Sequence, residues 1–157
     1  MNVSVGVQCV RYEADGFGIG ELWLDGDLLL EHSLPHAAGG EVSGSHPLAE
    51  RFRAYFSGER VDFADVELDL EGSTPFQLAA TEALRRIGYG ETVTYGELAA
   101  LAGHPGAQRA AGTFCAGNRF GLVVPCHRVV AASGPGAYPT LGVAYKLRLL
   151  ALEGAEL

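Results

Sequence analysis

Three things are scarce in this 157-residue chain, and each scarcity excludes a class of protein. No apolar run approaches the roughly 18 residues that a membrane span needs. The first residues, Met1-Asn2-Val3-Ser4, lack the basic start and apolar stretch of a signal peptide, so a cytoplasmic protein with no membrane partner is expected. Cysteine occurs only at positions 9, 115 and 126, an odd number at wide spacing that suits reduced thiols better than a disulfide framework. Aspartate is absent from residues 74–157. Apolar residues are plentiful: 48% of the chain suffices for a real core, which excludes disorder, and the length fits one average domain or two small ones packed together.

The formal net charge of −8 argues, taken whole, against a polyanionic partner. It is unevenly placed. Residues 1–73 hold 4 Lys/Arg against 14 Asp/Glu, a net of −10, while residues 74–157 hold 7 against 5, a net of +2. Two domains with different electrostatic roles are implied, an acidic 1–73 and a mildly basic 74–157, with Glu71-Gly72-Ser73 as the boundary.

The acidic segment reads as strands and turns. Val3, Val5 and Val7 alternate with small or polar residues. Phe17, Ile19, Glu21 and Trp23 form a second half-buried run ending at the Asp25-Gly26 turn signal, so a hairpin or small sheet is expected. His32 to Gly44 reads as a loop, and Leu48, Phe52, Tyr55 and Phe56 recur at helical spacing until Gly58. Val61 to Leu70 reads as a short irregular strand. Cys9, His32, His36 and His46 match no compact metal site, and Pro35 breaks any helical pairing of His32 with His36, so no metal is expected.

In the second segment Thr74-Pro75-Phe76-Gln77 carries a capping box with Pro at the first helical position. The helix it opens has Phe76, Ala80, Ala83, Leu84 and Ile87 as its apolar stripe and Arg85 and Arg86 in its last turn. Thr94-Tyr95-Gly96-Glu97 is a second capping box, opening a short helix with Leu98, Leu101 and Ala102 on its apolar side. Pro105 is read as the start of a third helix, which carries Ala107, Arg109, Ala110, Ala111 and Gly112 and has almost no bulk. Two short helices joined by a few residues containing Gly form a helix-turn-helix arrangement. The small face of the third helix admits either a neighbouring helix or a sugar-phosphate chain.

Leu122-Val123-Val124 reads as a buried strand stopped by Pro125, which presents Cys126 at a strand end followed by His127 and Arg128. Either neighbour is of the type that lowers a thiol pKa. Adjacent strand residues face opposite ways, so His127 assists Cys126 only if the backbone turns there or a water bridges them. An isolated cysteine in an apolar run is usually an inert buried thiol. Polar, titratable residues where a structural strand would continue as Val or Leu favour chemistry instead.

The run Val124-Pro125-Cys126-His127-Arg128-Val129-Val130 is similar to the active-site motif of the O6-alkylguanine-DNA alkyltransferases, the methylated-DNA–protein-cysteine methyltransferases. Gly90-Glu91-Thr92-Val93-Thr94-Tyr95-Gly96-Glu97-Leu98-Ala99 resembles the family's helix-turn-helix entry, and Arg109-Ala110-Ala111-Gly112 its recognition helix. Gly117-Asn118 resembles its Asn hinge, and Leu149 to Gly154 its closing helix with Glu153. The resemblance covers residues 75–154 and implies an α+β fold. A small ribonuclease-H-like N-terminal domain would precede a mainly helical, winged-helix-like C-terminal domain.

The resemblance further implies that Cys126 takes an alkyl group from guanine O6, or thymine O4, in one irreversible displacement that needs no cofactor. His127 would take the thiol proton through a water, Glu153 would orient and charge the imidazole, and Asn118 would position the turn carrying Cys126. Tyr95 would donate to the leaving base, and Arg109 would fill the gap left by the flipped nucleotide. Ala107, Ala110, Ala111 and Gly112 would line a minor-groove approach to double-stranded DNA, with Arg128, Tyr138 and Thr140 also on the substrate side. A monomer is implied.

Two departures stand out. Gly136-Ala137-Tyr138-Pro139-Thr140-Leu141-Gly142 has Pro and Leu where the family's pocket loop has small residues, and Cys115 and Ala116 stand where a basic or long side chain is common. Few phosphate contacts and loose, salt-sensitive DNA binding are therefore expected. The main rival is a relative that binds alkylated DNA without repairing it, against which the presence of Cys126 weighs. A redox or hydrolytic thiol enzyme lacks support, since there is no Cys-x-x-Cys pair and no Gly-rich elbow.

Overall fold

Alternating burial along the first described strands builds the N-terminal sheet. The computed structural model describes residues 6–156, so the expected strand positions Val3 and Val5 lie outside the described residues. β1 (Gln8–Ala14), β2 (Gly18–Asp25) and β3 (Leu28–His36) form an antiparallel sheet in the order β1-β2-β3. The Asp25-Gly26 turn joins β2 to β3 as expected, with Gly26 at φ 61°, where glycine is unstrained. The inward face of β1 is Val10, Tyr12 and Ala14, and that of β2 is Leu22 and Leu24. The odd positions Ile19, Glu21 and Trp23 therefore lie on the opposite, half-buried face.

The helix α1 (Pro47–Phe56) supplies Leu48, Phe52, Tyr55 and Phe56 to the same core at the anticipated spacing. Its N-cap is His46, whose Nδ1 accepts from the Leu48 amide at 3.0 Å. That histidine is thus spent on a helix start, and no cluster of metal-holding side chains occurs among the described residues.

Two expectations in this segment fail. Residues 32–36 continue β3 instead of beginning a loop, because pairing with β2 at Leu22 and Glu21 satisfies their backbone. Residues 61–70 contain no strand; a single bridge joins Leu68 to Leu29, and the rest is turns.

α2 (Pro75–Arg85) and α3 (Tyr95–Leu101) begin at the two capping boxes, both complete: Thr74 with Gln77, and Thr94 with Glu97. Leu101 is 60% exposed, so the apolar side of α3 is Leu98, Ala99 and Ala102. α4 (Gln108–Ala116) starts three residues later than Pro105 predicts. Residues 104–107 form a turn, closed by the Ala107 amide on the His104 carbonyl at 3.1 Å and by Gly106 at φ 89°, so Ala107 stands at the N-cap without a capping side chain. A short parallel pair, β4 (Val93–Thr94) with β5 (Val129–Val130), and α5 (Val143–Leu152) complete the segment.

The chain divides into two compact units, one of residues 1–69 with 119–123 and one of residues 70–118 with 124–157. The excursion 119–123 belongs to the N-terminal unit. There the His32 amide donates to the Arg119 carbonyl at 2.8 Å, and His32 Nδ1 lies 2.7 Å from the Gly121 carbonyl. Leu122-Val123-Val124 is consequently a turn and not a strand. Leu122 holds φ 72°, a left-handed conformation that a branched side chain rarely adopts, while its side chain stays buried.

Candidate functional site

Cys126 opens a 3₁₀ turn, Cys126–Arg128, that follows Pro125 directly. The turn supplies the change of direction that a strand would have denied, and all three of its side chains are buried. Asn118 closes the preceding loop: its Nδ2 donates to the Val124 carbonyl at 2.8 Å, tying the last residue of α4's exit to the residue two before the thiol.

Behind the thiol lies a buried charge network. Nε2 of His127 is 2.6 Å from Glu153 Oε2, and both side chains are essentially inaccessible. Arg128 grips the same carboxylate, with Nε 2.9 Å from Oε1 and Nη2 3.1 Å from Oε2, and Nη1 donates to the Ile87 carbonyl at 2.7 Å. The Gly90 amide adds a fourth bond to Glu153 at 3.0 Å. Burial pushes the Glu153 carboxyl up, but the hydrogen bonds and charges of His127 and Arg128 outweigh it and hold the group well below the ordinary carboxylate range. Burial lowers the His127 pKa and exceeds the opposing pull of Glu153. At neutral pH the pair is therefore a carboxylate facing a neutral imidazole. A carboxylate at Nε2 selects the tautomer protonated there, which leaves the basic lone pair on the buried Nδ1.

The thiol faces a cavity of about 510 Å³ lined by Tyr95, Arg109, Gly112, Cys115, Cys126 and Tyr138, among others. The volume is in the range of sites that take one small organic group. Burial pushes the Cys126 thiol well above its ordinary pKa, reinforced by the neighbouring Cys115 thiol; the Asn118 side chain and the Lys146 charge oppose this and lose. Burial likewise raises the Tyr95 and Tyr138 phenols, which keeps both as donors at neutral pH. Tyr95 Oη donates to the Ala137 carbonyl over a long 3.5 Å. Gly136 is required where the pocket loop meets this ring: its φ is 76°, and a Cβ there would lie 3.0 Å from the Tyr95 ring and hydroxyl.

The anticipated small helix face is only partly available. Ala110 is exposed and Ala107 and Gly112 are half-buried, whereas Ala111 is fully buried. A Cβ on Gly112 would meet nothing within 4 Å, so packing inside the protein does not explain its small size. Arg109 borders both the thiol cavity and a second hollow of about 450 Å³ shared with Phe76, Gln77 and Ala110. Arg128, grouped with the substrate-side residues from sequence, is instead buried on Glu153. Tyr138 lines the cavity; Thr140 is exposed and lies off its wall.

Sequence reading passed over Lys146, the chain's single lysine. It is fully buried, donating to the Val129 carbonyl at 2.5 Å and the Ala137 carbonyl at 3.1 Å, with Nζ 5.7 Å from the Tyr95 ring centroid. It thus fastens the pocket loop to β5 beside the thiol. The signal was available: Lys146 shares the helical spacing of the buried Leu149 and Leu150, so it occupies a core position.

With the geometry in view, known proteins can be set beside it. Residues 75–155 match the family model described as 6-O-methylguanine DNA methyltransferase, DNA binding domain. A methylated-DNA–protein-cysteine methyltransferase of Mycolicibacterium paratuberculosis is 50% identical over 104 residues, 66% of this chain and 62% of that protein. The match thus spans a little under two thirds of that relative's own length. The crystal structure of the Mycobacterium tuberculosis O6-methylguanine methyltransferase superposes with a TM-score of 0.80 at 35% identity, covering 94% of this chain and 93% of that one. A Mycobacterium tuberculosis relative solved in complex with DNA gives 0.77 at 36%, covering 93% and 92%.

Proposed function

The chain belongs to the 6-O-methylguanine DNA methyltransferase family, and on that premise we propose that it repairs DNA by moving an alkyl group from O6-alkylguanine onto Cys126, once per molecule. The observation that carries this reading is a nucleophile and a base mounted on one turn. Cys126 lines the cavity while His127, the next residue, is held at Nε2 by Glu153, which makes Nδ1 its basic nitrogen.

The buried thiol is protonated at rest, so the nucleophile is made on demand. His127 Nδ1 takes the proton, through a water, and Glu153 stabilises the resulting imidazolium across the 2.6 Å contact. Sγ then bonds to the alkyl carbon as the carbon–O6 bond breaks, and the electron pair passes into the guanine ring. Tyr95, kept protonated by burial, donates to the base as that charge develops. The product is a thioether, which no group in the site can reverse. Arg128 acts here as a positioning residue through Glu153, with Asn118 holding the turn.

The attacked atom lies inside the duplex, so the nucleotide must be flipped into the cavity, with α4 in the minor groove and Arg109 in the vacated stack. O4-alkylthymine fits the same chemistry. The reading includes a cytoplasmic monomer, a ribonuclease-H-like N-terminal unit and a winged-helix-like arrangement around α3 and α4.

Intact mass before and after exposure to a methylated duplex oligonucleotide tests this. A gain of one methyl group mapped to Cys126, absent in Cys126→Ser, is expected. Tight binding with unchanged mass would instead place the protein with relatives that bind alkylated DNA without repairing it.

A further inference from the structure

Cys115 is a cavity-lining residue that the transfer chemistry leaves unused, and it shares the cavity wall with the nucleophile. It lies in the last turn of α4, half-exposed, and its thiol adds to burial in raising the pKa of Cys126. Neither cysteine is in a disulfide. The two thiols come from different elements, the end of a helix and the first residue of a 3₁₀ turn, joined by the loop that Asn118 closes. Two reduced thiols on one cavity wall, one half-exposed and the other buried, are the arrangement of an oxidisable dithiol with a sensing and a resolving member.

We propose that Cys115 and Cys126 form such a dithiol, which hydrogen peroxide or an organic hydroperoxide converts to a disulfide that caps the alkyl acceptor reversibly. The proposal rests on the acceptor reading of Cys126 for its consequence, but not for its chemistry. The half-exposed Cys115 thiol attacks the peroxide oxygen, breaking the O–O bond to give a sulfenic acid and water (or an alcohol from an organic hydroperoxide). Cys126 sulfur then attacks Cys115 sulfur; the S–S bond forms, the S–O bond breaks, and hydroxide leaves with the Cys126 proton as a second water. Two thiols are oxidised by two electrons and one peroxide is reduced. A cellular thiol reverses the step by exchange. Capping has a clear use: without Cys115, peroxide that reaches Cys126 would carry it on to sulfinic and sulfonic acids, which thiols do not restore.

The test treats the full-length reduced protein with hydrogen peroxide and reads intact mass, a non-reducing peptide map and methyl acceptance from an alkylated oligonucleotide. The wild type should lose two hydrogens, yield a peptide pair joined through Cys115 and Cys126, and fall roughly tenfold or more in methyl acceptance, recovering on reduction. Cys9→Ser should behave the same way. Cys115→Ser should show no such mass loss, gain oxygen at Cys126, and stay inactive after reduction. Oxygen gained at wild-type Cys126 with no joined peptide would overturn the proposal, as would a joined peptide through Cys9. If the reduced protein accepts no methyl group, the repair reading fails, while mass and peptide map still decide the dithiol.

Discussion

Each unit buries one histidine completely enough to make the two comparable, and the comparison separates a structural imidazole from a chemical one. In the N-terminal unit His32 stacks on Phe52 with ring centroids 3.8 Å apart; Tyr12 Oη lies 2.6 Å from its Nε2, and its Nδ1 bonds the Gly121 carbonyl at 2.7 Å. In the second unit His127 is held at the same 2.6 Å by Glu153. Burial depresses both rings, His32 to about 4. The partners' charge makes the difference. A hydroxyl and a carbonyl occupy both nitrogens of His32 and offer an imidazolium no counter-charge; the carbonyl's pull toward protonation is weaker than burial, so that ring stays neutral and fastens 119–123 to its own sheet. A carboxylate occupies one nitrogen of His127 and stabilises the protonated ring, which is what a proton acceptor needs.

Several changes would break or sharpen this contrast, beginning with the largest. Glu153→Gln strips the charge from His127 and strands the buried Arg128. Methyl transfer should slow by about 10²-fold or more, and stability should fall by about 3–5 kcal/mol in urea melts; an undiminished rate would erase the distinction.

Acid should act on His32. Its folded pKa of about 4 lies below the unfolded value, so its contribution is complete above the unfolded pKa near 6.5 and is lost as pH falls through that window toward 4. The loss amounts to roughly 3 kcal/mol, read as the difference between wild-type and His32→Phe urea melts across that range. Parallel curves would mean that the ring titrates alike in the folded and unfolded states.

Tyr12→Phe removes the hydroxyl from His32 and should cost about 1–3 kcal/mol with methyl transfer per folded molecule unchanged. Asn118→Ala loses the bond to Val124 and should cost about 1 kcal/mol, with a slower transfer rate as the thiol turn loosens. Arg109→Ala, at the open face of α4, should alter stability by less than about 0.5 kcal/mol. It should also lower DNA affinity and reduce the logarithmic salt slope by about one if it meets a phosphate.

What was legible in the sequence divides along physical lines. The starts of α2 and α3 were readable because a capping box is complete within four residues. The apolar spacing of α1 was readable for the same local reason. Residues 32–36 were misread because His and Pro look like a loop until β2 pairs with them, and Leu122-Val123-Val124 because an apolar triplet suits a buried turn as well as a strand. Arg128 was placed on the substrate side and lies buried against Glu153, since nothing beside it in the chain announces that carboxylate.

The sequence by itself determined the chemical inventory: a thiol, an imidazole and a guanidinium in consecutive positions, two capped helices, and the charge split between an acidic and a mildly basic segment. Tertiary structure alone decided their pairing. Glu153 reaches His127 across 26 residues of chain, Lys146 reaches the Val129 carbonyl across 17, and Cys115 lines the same cavity as Cys126 from a different element. Local rules act through backbone bonds and side-chain spacing within a turn or two. Burial, which sets the direction of the Cys126, His127, Tyr95 and Tyr138 shifts, exists only once distant segments have packed, and so do the ion pairs that overcome it at Glu153.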